Sequence, residues 1–156
     1  DLRKEFDFIL IDCPAGIEQG FKTAIAAADT AIVVTMPEIS AVRDADKIIG
    51  ELSRADKEDI KLIVNRIRPQ MVESGDMLDM NDINDILSIE CIGQVPDDEM
   101  VVTSTNKGEP CITMEHSLAG QAYRNIVGRI CGEDIPFMEF PKEGFFQRLK
   151  RRVFGA

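Results

Sequence analysis

With a single histidine, His116, and no two cysteines at C-x-x-C spacing, the chain has few ligands to offer a structural zinc ion. Its four cysteines, Cys13, Cys91, Cys111 and Cys131, read as small core hydrophobes. No run of 18 apolar residues crosses the sequence and no signal peptide opens it, which predicts a cytoplasmic protein whose thiols stay reduced. Positive charge is scarce. Lysine and arginine total 18 against 28 acids, and the net charge of −10 argues against general nucleic-acid binding. Internal repeats and low-complexity segments are missing as well. What remains is 156 residues, 44% apolar and 29% charged, the composition of one soluble globular domain with a sizeable core.

Strand-like and helix-like segments alternate along it. Phe6–Ile11 is a near-continuous apolar run, the pattern of a strand buried on both faces. A short helical stretch covers Ala24–Ala28, and Thr30–Thr35 ("TAIVVT") is β-branched and reads as a second strand. In Ser40–Arg54 the residues Val42, Ala45, Ile48, Ile49 and Leu52 share one helical face. Lys61–Val64 reads as a third strand, Asp79–Leu87 as a helix, Glu90–Val95 as a fourth strand, and Glu115–Cys131 as a last long helix. Such alternation predicts an α/β fold: a mainly parallel sheet with right-handed crossovers and helices on both faces.

Ligands of such sheets bind at the carboxyl ends of the strands. The residues there are Asp12-Cys13-Pro14-Ala15-Gly16, Met36-Pro37-Glu38, Asn65-Arg66 and Pro96-Asp97-Asp98. Gly16, Gly20, Lys22 and Thr23 imitate a phosphate loop, G-x-x-x-x-G-K-[ST], but the spacing fails. Only three residues separate the glycines, and Phe21 stands where the second glycine should meet the lysine directly. Lys22 and Thr23 therefore read as ordinary helix residues. "FILID" is better read as a Walker B type of element, with Asp12 at the end of a buried strand holding Mg²⁺ directly or through water. A buried strand ending in a helix-capping aspartate is the alternative reading of the same residues.

The segments "DCPAGIEQGFKTAIAAAD", "VTMPEISAVRDADKIIGEL", "LIVNRIRP", "STNKGEP" and "AGQAYRNI" together resemble the septum-site-determining branch of the MinD/ParA family of deviant Walker ATPases. The likeness runs from about Phe6 to the C-terminus. The family's K-G-G-x-G-K-T loop and first switch aspartate cannot be found here, so the resemblance is to a C-terminal part, a partial nucleotide-binding fold not competent for catalysis alone. It implies a parent ATP hydrolase that uses ATP and Mg²⁺, dimerises on ATP and acts in cell division. Asp12 would then be the Walker B carboxylate on Mg²⁺ through water, and Pro14, Ala15 and Gly16 part of the second switch. Asn65 and Arg66 would belong to the element that hydrogen-bonds adenine, with Pro96 and Asp97 along the base from the neighbouring strand; an asparagine amide offers both donor and acceptor. Taken alone, Asn65 also reads as a strand-end residue satisfying its own turn. Glu38, Ser40, Asp44 and Asp46 would lie by the dimer interface, where a MinC-like inhibitor and a MinE-like regulator dock. Without the resemblance they read as a solvated charged face.

The predicted organisation is a nucleotide-binding part over 1–132, a Pro- and Gly-punctuated linker over 133–144, and an amphipathic helix over 145–156. In that helix Phe145, Phe146, Leu149 and Val153 share an apolar arc, Arg148, Arg151 and Arg152 lie opposite, and Lys150 flanks it. From Lys142 onward there are five basic residues and one acid, so this tail carries +4 and the rest of the chain −14 of the total −10. Such asymmetry predicts a helix lying on an anionic membrane surface, peripheral to the inner face of the cell membrane. A helix packed on the domain, or a target helix for a partner protein, would use the same pattern. Two further readings stay open: a ParA-like partition ATPase, which the acidic body disfavours, and a non-catalytic membrane-binding or interaction module.

Overall fold

The computed structural model describes residues 2–14 and 16–140; Ala15 and the expected membrane helix over 145–156 lie outside the described residues. A short 3-10 turn at Leu2–Lys4 precedes an extended stretch, followed by α1 (Gln19–Ala27), β1 (Ala31–Thr35), α2 (Ile39–Arg54), β2 (Ile60–Ile67), α3 (Pro69–Ser74), α4 (Met80–Leu87), β3 (Glu90–Pro96), α5 (Glu99–Lys107), a second 3-10 turn at Cys111–Thr113, and α6 (Leu118–Ile130). The three strands form one parallel sheet in the order β1-β2-β3, with Val33 level with Leu62 and Leu62 level with Cys91. The fold is α/β, as the alternation of segments predicts. No helix among the described residues is long and apolar enough to cross a membrane.

Local chemistry explains where elements begin and end. A capping box starts α4, in which Asp79 accepts from the Asp82 N–H and Asp82 accepts from the Asp79 N–H. Ser117 caps α6 by accepting from Gly120, and Pro69 opens α3, where its missing N–H costs nothing. Gly75 ends α3 in the left-handed region, which a residue without Cβ enters freely.

Helices pack on both faces of the sheet, although on the α6 face only β2 and β3 are covered. Val33, Leu62 and Val64 pack with Val42, Ala45 and Leu52 of α2, Ile83 and Leu87 of α4, and Phe21 of α1. On the opposite face Ile63, Ile92 and Val95 meet Ala119, Ala122 and Ile126 of α6. Gly93 makes this second contact close: a Cβ there would come within 3.2 Å of Ile63 Cγ1 and nearer still to the Ile126 side chain.

The expected first strand is not in the sheet. Residues 8–14 belong to no strand or helix, and Phe8 and Leu10 are 61% and 89% exposed. A strand holds its conformation through a hydrogen-bonded neighbour and packed faces. Among the described residues β1 has a neighbour only in β2, and Phe6–Cys13 lines a broad open trough together with β1, residues of α2 and the segment after α6. Ile32 and Val34 of β1 look into that trough, Val34 being 59% exposed.

Beyond α6 the chain turns at Gly132, with φ +90°, and runs back along the domain. Arg129 holds this returning segment. Its Nε donates to the Ile135 carbonyl, one terminal nitrogen to Pro136 and the other to Ile92 of β3, each at 2.9 Å. Met138 packs with the α6 face of the core and Phe140 with the α2 face, so residues 133–140 cross from one side of the sheet to the other.

Candidate nucleotide-facing site

The carboxyl ends of β2 and β3 are shaped by a bulge. Val64 is level with Gln94 and Ile67 with Pro96, so β2 carries one residue more than β3 over this step. Arg66 absorbs the surplus with φ +58°, a conformation that costs a residue with a Cβ. The Asn65 side chain steadies it, its Oδ1 accepting from the Arg66 N–H at 2.9 Å. With that oxygen accepting from the backbone, the side-chain NH2 is the donor group Asn65 can offer a ligand.

Beside the bulge, the Asp97 N–H donates to the Ile67 carbonyl at 2.8 Å. The Asp97 carboxylate takes Arg68 Nε at 2.6 Å and lies 3.7 Å from Arg66 Nε. Asn65, Arg66, Pro96 and Asp97 are thus gathered at one place, with Pro96 buried beneath. The next residue, Asp98, points the other way. Its Oδ1 accepts from the Met100 N–H at the start of α5, and its Oδ2 accepts from the Ser117 hydroxyl and the Ala119 N–H at the start of α6. Burial pushes the Asp98 carboxyl up, but hydrogen bonds from Ala119, Met100, Ser117 and Leu118 outweigh it, and the group is held below the ordinary carboxylate value.

Asp12 ends the unpaired apolar run and is exposed. Along with Cys13, Pro14 and Gly16 it lines the trough, which Thr35, Met36 and Asn65 also line. Pro96 and Asp97 stand outside those walls. Gly16 has φ +94°, and Pro14 fits against Gly20, where a Cβ would meet its ring at 2.6 Å. Ala15 lies outside the described residues. Glu38 takes the N-cap position of α2 without a side-chain cap, and Glu38 and Ser40 are exposed. Asp44 pairs with Lys47 at 2.8 Å with both side chains mostly in solvent, and Asp46 is exposed one residue before that lysine. Among the described residues no three His, Cys, Asp or Glu side chains converge as a metal site.

Sequence reasoning reached Asp98 as a strand-end position but gave it no role, and it passed over Ser117 and Arg129. Ser117 carries a usable signal, a serine directly before a helical pattern. Arg129 carries none, because its partners are backbone carbonyls 6, 7 and 37 residues away.

No family model matches the chain. Among curated proteins, the septum site-determining protein MinD of Synechocystis sp. is 50% identical over 158 residues, an alignment covering 99% of this chain and 59% of that protein. The chain therefore spans about three fifths of the length of the curated relatives it matches. Among solved structures, the MinC:MinD cell division complex of Aquifex aeolicus superposes with a TM-score of 0.85 at 45% identity, over 89% of this chain and 57% of that one. The Pyrococcus horikoshii MinD complexed with Mg-ADP superposes with a TM-score of 0.72 at 28% identity, over 83% of this chain and 52% of that one.

Proposed function

We propose, for a chain that belongs to the MinD family of septum site-determining proteins, that it supplies the C-terminal part of an ATP-switched ATPase that binds membrane reversibly as a dimer and places the division septum. The observation that carries this reading is the gathering of Asn65, Arg66 and Asp97 at the carboxyl ends of β2 and β3, with Asn65 opening on the trough that Asp12 also lines. Asn65 would address the adenine edge and Pro96 and Asp97 its flank, while Pro14, Ala15 and Gly16 would respond to the terminal phosphate. The phosphate loop K-G-G-x-G-K-T is missing from the sequence, so in this reading the chain alone does not hydrolyse ATP.

A lone exposed carboxylate cannot hold Mg²⁺ by itself. It does suit an ion that keeps most of its waters and takes its other ligands from phosphates. Asp12 would hold Mg²⁺ in that way, through water, and the ion would supply neutralisation of phosphate charge. Glu38, Ser40, Asp44 and Asp46 would face the dimer partner and a MinC-like inhibitor. The MinC:MinD complex of the Aquifex relative supports a partner of that kind. A MinE-like regulator would act on the same region.

The basic segment from Phe145 to Val153 would bind the anionic inner leaflet. Each basic residue there is worth about 1 kcal/mol, so one copy binds weakly, and two copies on a dimer gain avidity by about 10² or more. Co-sedimentation with anionic and neutral vesicles, with and without the last 12 residues, tests this. The expected result is binding that needs both the tail and anionic lipid and strengthens in a tandem fusion of two copies. A folded tandem fusion that stays in the supernatant with anionic vesicles sinks the membrane reading.

A further inference from the structure

We propose that Asp98 is a positioning residue for the base-side cluster: it ties the start of α6 to the loop that carries Pro96 and Asp97, and so sets that loop in front of Asn65. The inference rests on the reading of Asn65 and Asp97 as the base-facing pair.

Asp97 and Asp98 are consecutive and pull in opposite directions. Asp97 is drawn to β2 through its own N–H to Ile67 and its carboxylate to Arg68. Asp98 is drawn to the helices, with one oxygen on Met100 and the other on Ser117 and Ala119. The tie to Ser117 spans 19 residues, so a single carboxylate closes the whole excursion through α5 and the second 3-10 turn at its base. The far end of the tie is firm. Ser117 is 1% exposed and its oxygen accepts from the Gly120 N–H at 2.9 Å. Gly120 in turn lies so close to Cys111 that an added Cβ would collide with its carbonyl group. The peptide between Asp97 and Asp98 is thus held from both sides, and removing the Asp98 hold leaves it tied through Asp97 alone. Asp98 makes no contact with Asn65 among its hydrogen bonds and acts through its neighbour Asp97.

The test compares Asp98→Ala and Asp98→Ser with the unaltered chain by backbone amide hydrogen exchange. Serine is a good N-cap and keeps the bond to Met100, but it is too short to reach Ser117 and Ala119 as well. Asp98→Ala is expected to speed exchange at Asp97, Ala119 and Gly120 by about tenfold or more, with the β1 amides unchanged. Asp98→Ser is expected to restore protection at Met100 and leave Asp97 and Ala119 fast. Exchange at Asp97 within about twofold of the unaltered chain, or an equal rise at every amide of the sheet, overturns the proposal.

A second readout is the shift of the Asn65 side-chain amide during titration with adenosine 5′-monophosphate. In a chain that responds, Asp98→Ser is expected to weaken the response about tenfold, and an unchanged titration overturns the positioning role. No response in the unaltered chain overturns the base-site reading instead, and the exchange result still decides whether Asp98 makes the tie.

Discussion

The guanidinium carbon of Arg129 stands 4.3 Å from the centre of the Phe137 ring, over which it is stacked while its three nitrogens donate to the carbonyls of Ile92, Ile135 and Pro136. One side chain therefore fastens the returning segment to β3. Replacing it by alanine removes three charge-assisted hydrogen bonds and a cation–π contact, and the expected loss of stability is about 2–4 kcal/mol. Lysine cannot form the planar fork and should recover less than half. Urea unfolding measures the change, and a loss below about 0.5 kcal/mol would show that the clamp is idle.

Gly93→Ala tests the close approach of β3 and α6. The new methyl would meet Ile126 and Ile63 together, and the flexible end of Ile126 must turn away from a packed position. Overpacking of this kind costs about 1–3 kcal/mol, read from the same denaturation curves. Pairing it with Ile126→Val should recover part of the loss, because the two changes share one space.

The thiols should differ in rate. Burial pushes the Cys91 thiol up, only partly offset by hydrogen bonds to Gly93 and Val64 and by the Arg129 charge, whereas Cys13 and Cys131 are exposed. Alkylation acts on the thiolate. Peptide mapping after iodoacetamide treatment at pH 8 should find Cys91 modified about tenfold or more slowly than Cys13. Equal rates would mean that β3 opens readily.

Acid should weaken the junction of α5 and α6. The Asp98 carboxyl is depressed below its ordinary 3.8, so the stability it lends is fully present above that value and is lost as pH falls through its lower folded value. Stability followed from pH 6 downward should fall less steeply below about pH 4 in Asp98→Ser than in the unaltered chain. Asp59, also depressed through Thr30 and Lys61, acts with the same sign but its side chain is about half exposed, and solvent screening should keep its contribution small.

Much of the fold could be read from local pattern. The β-branched run at Ala31–Thr35, the spacing of Val42, Ala45 and Leu52, and the Asp79 start of α4 each carry their own instruction. Two helices had weaker signals. Glu99–Lys107 has one buried residue, Ser104, and so little periodicity, although Asp98 before it and Gly108 after it are cap residues. Pro69–Ser74 is six residues long and buries none fully. Phe6–Ile11 misled for a different reason: an apolar run states that a segment wants cover, and its pairing depends on what lies beside it. At the site, Asn65, Arg66 and Asp97 were reachable because they follow strands. The bulge that turns Arg66 to a positive φ was not, since it arises from the mismatch of two strands rather than from either alone.

β1 leaves one edge of the sheet unpaired among the described residues, next to the uncovered side chains of Ile32 and Val34. In colloidal terms that edge is an adhesive spot on a charged particle. The net charge of −10 keeps molecules apart, but its reach shrinks to about 8 Å at physiological ionic strength, short enough for two edges to meet. Salt, rather than heat, should therefore set the concentration at which the purified chain leaves solution, and light scattering should rise with sodium chloride at temperatures where the sheet is still intact.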